Sequence, residues 1–204
     1  MHISDGVLPT TVAVGAYVAG LAIAGWSVRR TRGEDLPKIA VVTSAFFVAS
    51  LIHVPIGPTS VHLLIPGLVG ILLGPSAFIS IALGLILQSL LFQFGGITAL
   101  GANSLMMGLP ALAAAGIFRI SKGRSLPRHV LAGALAGGLG VISATLILAL
   151  LLATSGEDFL GVAKLAVYAH APVVVIEAVV SAFSVSFLYK VKPDLLGISF
   201  PASP

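Results

Sequence analysis

The sequence predicts an all-α, polytopic membrane protein with about seven transmembrane helices, and three observations carry that expectation. The first is composition: 57% of the 204 residues are hydrophobic, 9% are charged, and mean hydropathy is +1.11. A soluble domain carries roughly 25% charged residues. This chain lacks the polar groups to coat a surface in water, so its solvent is lipid. The second is length: apolar stretches close to the ~20 residues that cross a bilayer recur along the chain. The third is charge placement, because the basic residues fall between those stretches. The net charge of +4 is therefore a matter of topology, and no nucleic-acid partner is expected. With Cys 0, disulfides and thiolate metal sites are excluded. The five histidines are left as the main candidates for a borderline ligand.

The candidate spans cover about residues 8–28, 37–54, 60–74, 76–94, 101–120, 127–154 and 162–189. The third is short for a full crossing and joins the fourth through "LLGPS", where Gly74-Pro75 breaks a helix. Six spans is the alternative count. No repeat, low-complexity tract or soluble appendage interrupts the chain, which reads as a single membrane domain over 1–204. Ala22-Ile23-Ala24 resembles a signal-peptidase site, but residues 1–7 hold no Lys or Arg, so the basic n-region is missing and no cleavage is expected.

Orientation follows from the positive-inside rule. Arg29, Arg30, Arg32 and Lys38 surround the first turn, Arg119, Lys122, Arg124 and Arg128 the fifth, and Lys190 and Lys192 follow the last span. With seven spans these regions share one side, which places ten of the eleven basic residues in the cytoplasm, Lys164 excepted. The expected topology has the N-terminus outside and the C-terminus cytoplasmic, in a multi-pass protein of the inner (cytoplasmic) membrane. It puts His2 outside, His53 at the outer end of the second helix and His62 at the outer start of the third. His170 lies within the outer half of the last helix, and only His129 is cytoplasmic.

The opening "MHISDGVL" has chemical consequences. A free α-amine, the His2 amide nitrogen and the His2 imidazole Nδ1 can close a five-membered and a six-membered chelate ring in one plane. Ni(II) and Cu(II) displace an amide proton readily and favour planar nitrogen sites. One further imidazole completes the plane. His62 supplies it if segment 1–7 folds back over the extracytoplasmic mouth, a turn that Gly6 permits. His2 can equally be a solvated terminal residue, and His53 a helix cap. His170 and Glu177, seven apart on one helix face, read as a proton relay, a metal pair or a packing contact. Gln88 reads as a polar tie between helices. The small-residue rows Ala16, Gly20, Ala24 and Gly133, Gly137 read as helix packing or as a surface for a coupling subunit.

Several stretches together resemble one family. "MHISDGVL", "PTSVHLL" at 58–64, "GGITALGAN" at 95–103 and "HAPVVVIEA" at 170–178 are similar, in order and spacing, to motifs of the CbiM/NikM family. These are the substrate-binding S components of energy-coupling-factor nickel and cobalt transporters. The resemblance implies a six-helix core plus one extra helix. It implies a metal held by Met1, through its amine, by the amide and imidazole of His2, and by His62. His53, Asp5, Ser60 and Asn103 are expected to support those ligands from behind. The implied partners, besides lipid, are a transmembrane coupling subunit, two ATPase subunits and a small accessory membrane subunit. "HVPIGPTSVH" is more compact than its counterpart in cobalt-type members, which leans towards nickel.

The chain has no phosphate-binding G-x-x-x-x-G-K-[ST] loop and therefore no ATP site, and no H-E-x-x-H motif of a metalloprotease. It is expected to be no enzyme, but a capture subunit for Ni(II) or Co(II) as transported substrate. The competing reading is a self-sufficient secondary metal/proton transporter or channel using His170 and Glu177. That reading rests on a single intramembrane acid, where paired acids are usual.

Overall fold

The computed structural model describes the backbone of residues 2–51, 53–56, 59–123 and 125–198, and the side chains of the same residues outside 53–61. The first helix, α1 (Thr10–Arg30), follows Pro9 and ends on Arg29 and Arg30, cations that favour a helix C-terminus. A 3-10 turn at Gly33–Asp35 leads into α2 (Leu36–Leu51). At 16 residues α2 is shorter than the ~20 of a full crossing.

Past α2 the chain departs from the sequence expectation. His53 does not end the second helix, and His62 does not begin the third. They face each other across a two-stranded antiparallel hairpin, β1 (His53–Ile56) and β2 (Thr59–His62), in which His53 pairs with His62 and Pro55 with Ser60. The physical reason is local. Val54, Ile56, Thr59 and Val61 are β-branched, and Pro55 denies a helix its N–H. The third helix, α3 (Pro66–Leu73), has only eight residues. It starts on Pro66, whose missing N–H costs nothing at a helix N-terminus.

The residues that lead into α3 carry backbone donors in the interior, and Ile65 adopts a left-handed conformation with φ 42°. Leu64 N and Ile65 N both donate to Glu177 Oε1, at 2.5 and 2.6 Å. The acid thus ties the last helix to the start of α3. A 3-10 turn at Gly74–Ser76 then leads into α4 (Ala77–Phe92). That turn sits at the C-terminal end of α1: Ser27 Oγ donates to Pro75 O at 2.7 Å, and Thr31 Oγ1 lies 2.8 Å from Ser76 Oγ. The approach to α3 and the far end of α4 both lie beside His2, so the chain reverses at Gly74. The helices α5 (Leu100–Ser121), α6 (Leu126–Ala153) and α7 (Asp158–Val191) complete the bundle, with a 3-10 turn at Pro193–Leu196.

Among the described residues, five stretches are long and apolar enough, by length and composition, to cross a membrane: Thr10–Arg30, Pro66–Phe92, Leu100–Ser121, Leu126–Ala153 and Asp158–Val191, the second of them comprising α3 and α4 on either side of the reversal at Gly74. Their outward faces are apolar, with Val18, Leu21, Leu146, Leu150, Phe183 and Phe187 all exposed. In water such faces would drive aggregation; in lipid they are the solvated surface.

Inside, glycines let backbones touch. A Cβ on Gly67 would stand 2.5 Å from Gly137 Cα, and one on Gly70 would sit on the Ala111 carbonyl. One on Gly137 would stand 2.5 Å from Ser181 Oγ and 2.6 Å from Glu177 O. Gly20 and Gly101 bring α1 against α5 in the same way, a Cβ on Gly101 meeting Tyr17 Cα at 2.7 Å. The buried small residues of α1 and α6 thus face neighbouring helices within this chain.

Gly70→Val should destabilise the protein at or above the ~1–3 kcal/mol usual for overpacking, because the obstacle is backbone. Gly15→Ala, with open space around its Cβ, should leave the thermal midpoint in detergent unchanged. Equal midpoints for the two variants would contradict this packing.

Candidate metal site

The first residues are docked between helices. Ile3 is fully buried. Its N–H donates to Asn103 Oδ1 at 2.8 Å, and Asn103 Nδ2 donates back to Ile3 O at 3.0 Å and to Gly95 O at 3.2 Å. The side-chain amide of α5 therefore holds residue 3 as a neighbouring strand would. Gly95 and Gly96 make room for this. Both have positive φ, +79° and +65°. A Cβ on Gly95 would stand 2.7 Å from Asn103 Nδ2 and 3.0 Å from His2 Cδ2, and one on Gly96 would overlap the Asp5 carboxyl. Asp5 Oδ1 accepts from Thr98 N at 2.7 Å and from Thr98 Oγ1 at 2.5 Å. Those bonds, the side-chain one foremost, hold the Asp5 carboxyl below its usual pKa of 3.8. Tyr17 Oη donates to Ile97 O and fastens the same loop to α1.

This docking brings His2 to His62. Both are buried, at 5% and 3% exposure, and their ring centroids are 4.8 Å apart with planes inclined by 30°. His62 Nδ1 lies 2.8 Å from Leu63 O. A carbonyl only accepts, so Nδ1 carries the proton and Nε2 the lone pair. That Nε2 is buried with no hydrogen-bond partner among the described residues, a costly condition for a polar atom that nothing else occupies. On the other side, His2 Nε2 lies 2.6 Å from Gln88 Oε1. Gln88 Nε2 donates to Ser50 Oγ at 2.6 Å, and Ser50 Oγ donates to Phe47 O at 2.7 Å.

Of the residues expected from the sequence, His2, His62, Asp5 and Asn103 come together here. Met1 lies outside the described residues. His53 and Ser60 are described only as backbone in the hairpin, His53 directly opposite His62. His129 is elsewhere: it packs on Phe118 and Tyr189, and Phe118 is fifteen residues beyond Asn103, about 22 Å along α5. His170 Nδ1 lies 2.7 Å from Ala166 O, and its Nε2 has no hydrogen-bond partner among the described residues. No three His, Cys, Asp or Glu among the described residues group as a metal site. A metal between His2 and His62 must therefore draw further donors from other groups, such as backbone nitrogen. Gln88, expected as a polar tie between helices, does tie α4 to α2 through Ser50. Its contact with His2 was not legible in the sequence, and Ser50 has no sequence signal at all.

The geometry is thus a docked imidazole of residue two facing a second buried imidazole inside an apolar bundle. The chain belongs to the CbiM family, described as the cobalt uptake substrate-specific transmembrane region, which it matches over residues 2–195. It is 36% identical over 201 residues to a putative metal transport protein of Haemophilus influenzae, across 96% of this chain and 97% of that one. It is 33% identical over 213 residues to the cobalt transport protein CbiM of Sorangium cellulosum, across 96% of this chain and 94% of that one. A fused nickel transport protein NikMN of Rhodobacter capsulatus is 32% identical over 231 residues. This chain is covered completely and spans 66% of that longer protein. A crystal structure of a transition metal transporter superposes with a TM-score of 0.76 at 26% identity, over 94% of this chain and 93% of that one. A truncated form gives the same TM-score at 25% identity, over 93% and 99%. The protein is a multi-pass membrane protein of this transport family.

Asp5 should titrate below 3.8 when its carboxyl is followed by NMR, and Thr98→Val should raise that value. Because the folded pKa is depressed, the stabilising contribution is present above the unfolded pKa. It is lost only as pH falls through the folded value. A normal Asp5 titration in the intact protein would mean that the Thr98 contacts do not hold.

Proposed function

We propose that this chain is the high-affinity capture subunit of an ATP-driven importer for Ni(II), with Co(II) as the second substrate. The metal is bound in a plane of four nitrogens: the Met1 amine, the His2 amide, His2 Nδ1 and His62 Nε2. The observation that carries this reading is the pair of buried imidazoles 4.8 Å apart, one of them at residue two. In this proposal Met1 is the free N-terminus, so that its amine and the His2 amide nitrogen lie within chelating reach of the first ring. His62 offers a buried lone pair with no other partner among the described residues. His53, Asp5, Ser60 and Asn103 support these ligands through the hairpin and the docked segment 1–7, which closes the extracytoplasmic mouth.

The chain crosses the inner (cytoplasmic) membrane seven times, N-terminus outside and C-terminus cytoplasmic, with the hairpin and α3 together making the third crossing. Hydrolysis of ATP belongs to two partner ATPase subunits acting through a transmembrane coupling subunit, with a small accessory membrane subunit alongside. Fused relatives support such partnerships: one is named a fused nickel transport protein NikMN and another a putative fused cobalt transport protein CbiMQ. Against the self-sufficient carrier reading, Glu177 Oε1 is engaged by two backbone amides and so has a structural role.

Purified protein with a native N-terminus should bind nickel as a diamagnetic, yellow to orange complex, since four planar nitrogens favour the low-spin ion. Zn(II), which prefers tetrahedral ligands, should bind poorly. One residue added before Met1, His2→Ala or His62→Ala should each abolish tight binding, and His129→Ala should not. Affinity should fall as pH drops below about 6.5, where protons compete for the imidazoles. A pale-green, paramagnetic nickel complex, or full affinity in His62→Ala, would overturn the four-nitrogen site.

A further inference from the structure

The chain of hydrogen bonds behind His2 has a direction. Ser50 Oγ spends its only proton on Phe47 O, so towards Gln88 it can only accept. The Gln88 group that faces it at 2.6 Å must therefore be the NH2 end. With that end committed, the carboxamide cannot turn over, and its carbonyl Oε1 is the atom that meets His2 at 2.6 Å. A carbonyl oxygen accepts only, so the proton of the His2 ring is on Nε2 and the lone pair is on Nδ1. All three side chains are buried, Gln88 and Ser50 completely. The alternative tautomer would set a lone pair against Oε1 in a buried interior, a costly arrangement.

We propose that Gln88, locked by Ser50, is a positioning residue that fixes the tautomer of His2 and so presents Nδ1 to the metal. The inference rests on the reading of His2 as a chelating ligand. Only Nδ1 can close a six-membered ring with the residue's own amide nitrogen; Nε2 lies on the far side of the imidazole. A ring with its proton on Nδ1 must exchange it before it can bind. The partner of the remote ring nitrogen commonly sets which nitrogen is metallated, and loss of such a partner costs about 10–100-fold in affinity. His62 is fixed by the opposite device: the Leu63 carbonyl holds the proton on Nδ1 and leaves Nε2 for the metal. Two histidines in one pocket are thus held in opposite tautomers by two different acceptors.

The test is nitrogen-15 NMR of the metal-free, full-length protein labelled at histidine, with nickel affinity measured on the same samples. The wild type should show the His2 proton on Nε2. Gln88→Leu and Ser50→Ala should each give a mixture of His2 tautomers and a nickel affinity lower by about 10–100-fold. Ser50→Thr, which keeps the hydroxyl, should retain both wild-type properties. If Gln88→Leu does not fold, Ser50→Ala reads the same effect with the loss of one oxygen. A His2 proton on Nδ1 in the wild type, or an unchanged tautomer in both Gln88→Leu and Ser50→Ala, would overturn the inference and leave the capture reading standing. A wild type that binds no nickel, with a tautomer that still depends on Gln88, would overturn the capture reading and the metal half of the inference with it.

Discussion

The contact on which this structure turns is the Glu177 carboxylate held against the backbone of residues 64 and 65. A half-length helix that begins inside an apolar bundle exposes donors that neither lipid nor a preceding turn can satisfy, and each such group costs several kcal/mol when left alone. Glu177 Oε1 takes two of them. It can reach them because α7 lies close against α6, where a side chain on Gly137 would collide with Glu177 O, and because Gly67 of α3 lies directly on Gly137. The hairpin ends only two residues before Leu64. The position of His62 is therefore inherited from an acid 115 residues further along the chain.

The other imidazole has separate support. Asn103, Gly95 and the Asp5–Thr98 contact hold the first residues against α5 and its leading loop, while Gln88 and Ser50 hold the ring itself through α4 and α2. These contacts are distinct from the ones that hold His62. The gap between the rings is a property of the whole bundle, because α5 sets one side and α7 the other. Small changes in how those helices lean would alter it without touching either histidine.

The helices were legible because lipid imposes a single demand, an apolar run of sufficient length, and that demand is written in composition. The proximity of His2 and His62 was legible because the chelate reading of residue two asked for a second imidazole beside it, and because "MHISDGVL" and "PTSVHLL" resemble family motifs. The hairpin was not. Residues 53–62 are apolar enough to extend a helix on either side, and only Pro55 and the β-branched residues argue otherwise. Glu177 was visible as an isolated acid, but its partners are backbone amides, which leave no mark in a sequence. Ser50 was invisible for a related reason: a serine in a membrane helix ordinarily satisfies itself on its own backbone, as this one does through Phe47 O, and nothing local shows that it also holds a distant amide.

The docking of the first residues also orders the birth of the protein. His2, Ile3 and Asp5 are synthesised before α1, yet their partners Gln88, Asn103 and Thr98 lie 86, 100 and 93 residues later. These residues must therefore remain undocked while α1 to α4 are synthesised, and they can seat only when α5 arrives. Even then His62 waits on α7 for its carboxylate anchor. Both imidazoles have their full support only once α7 is in place.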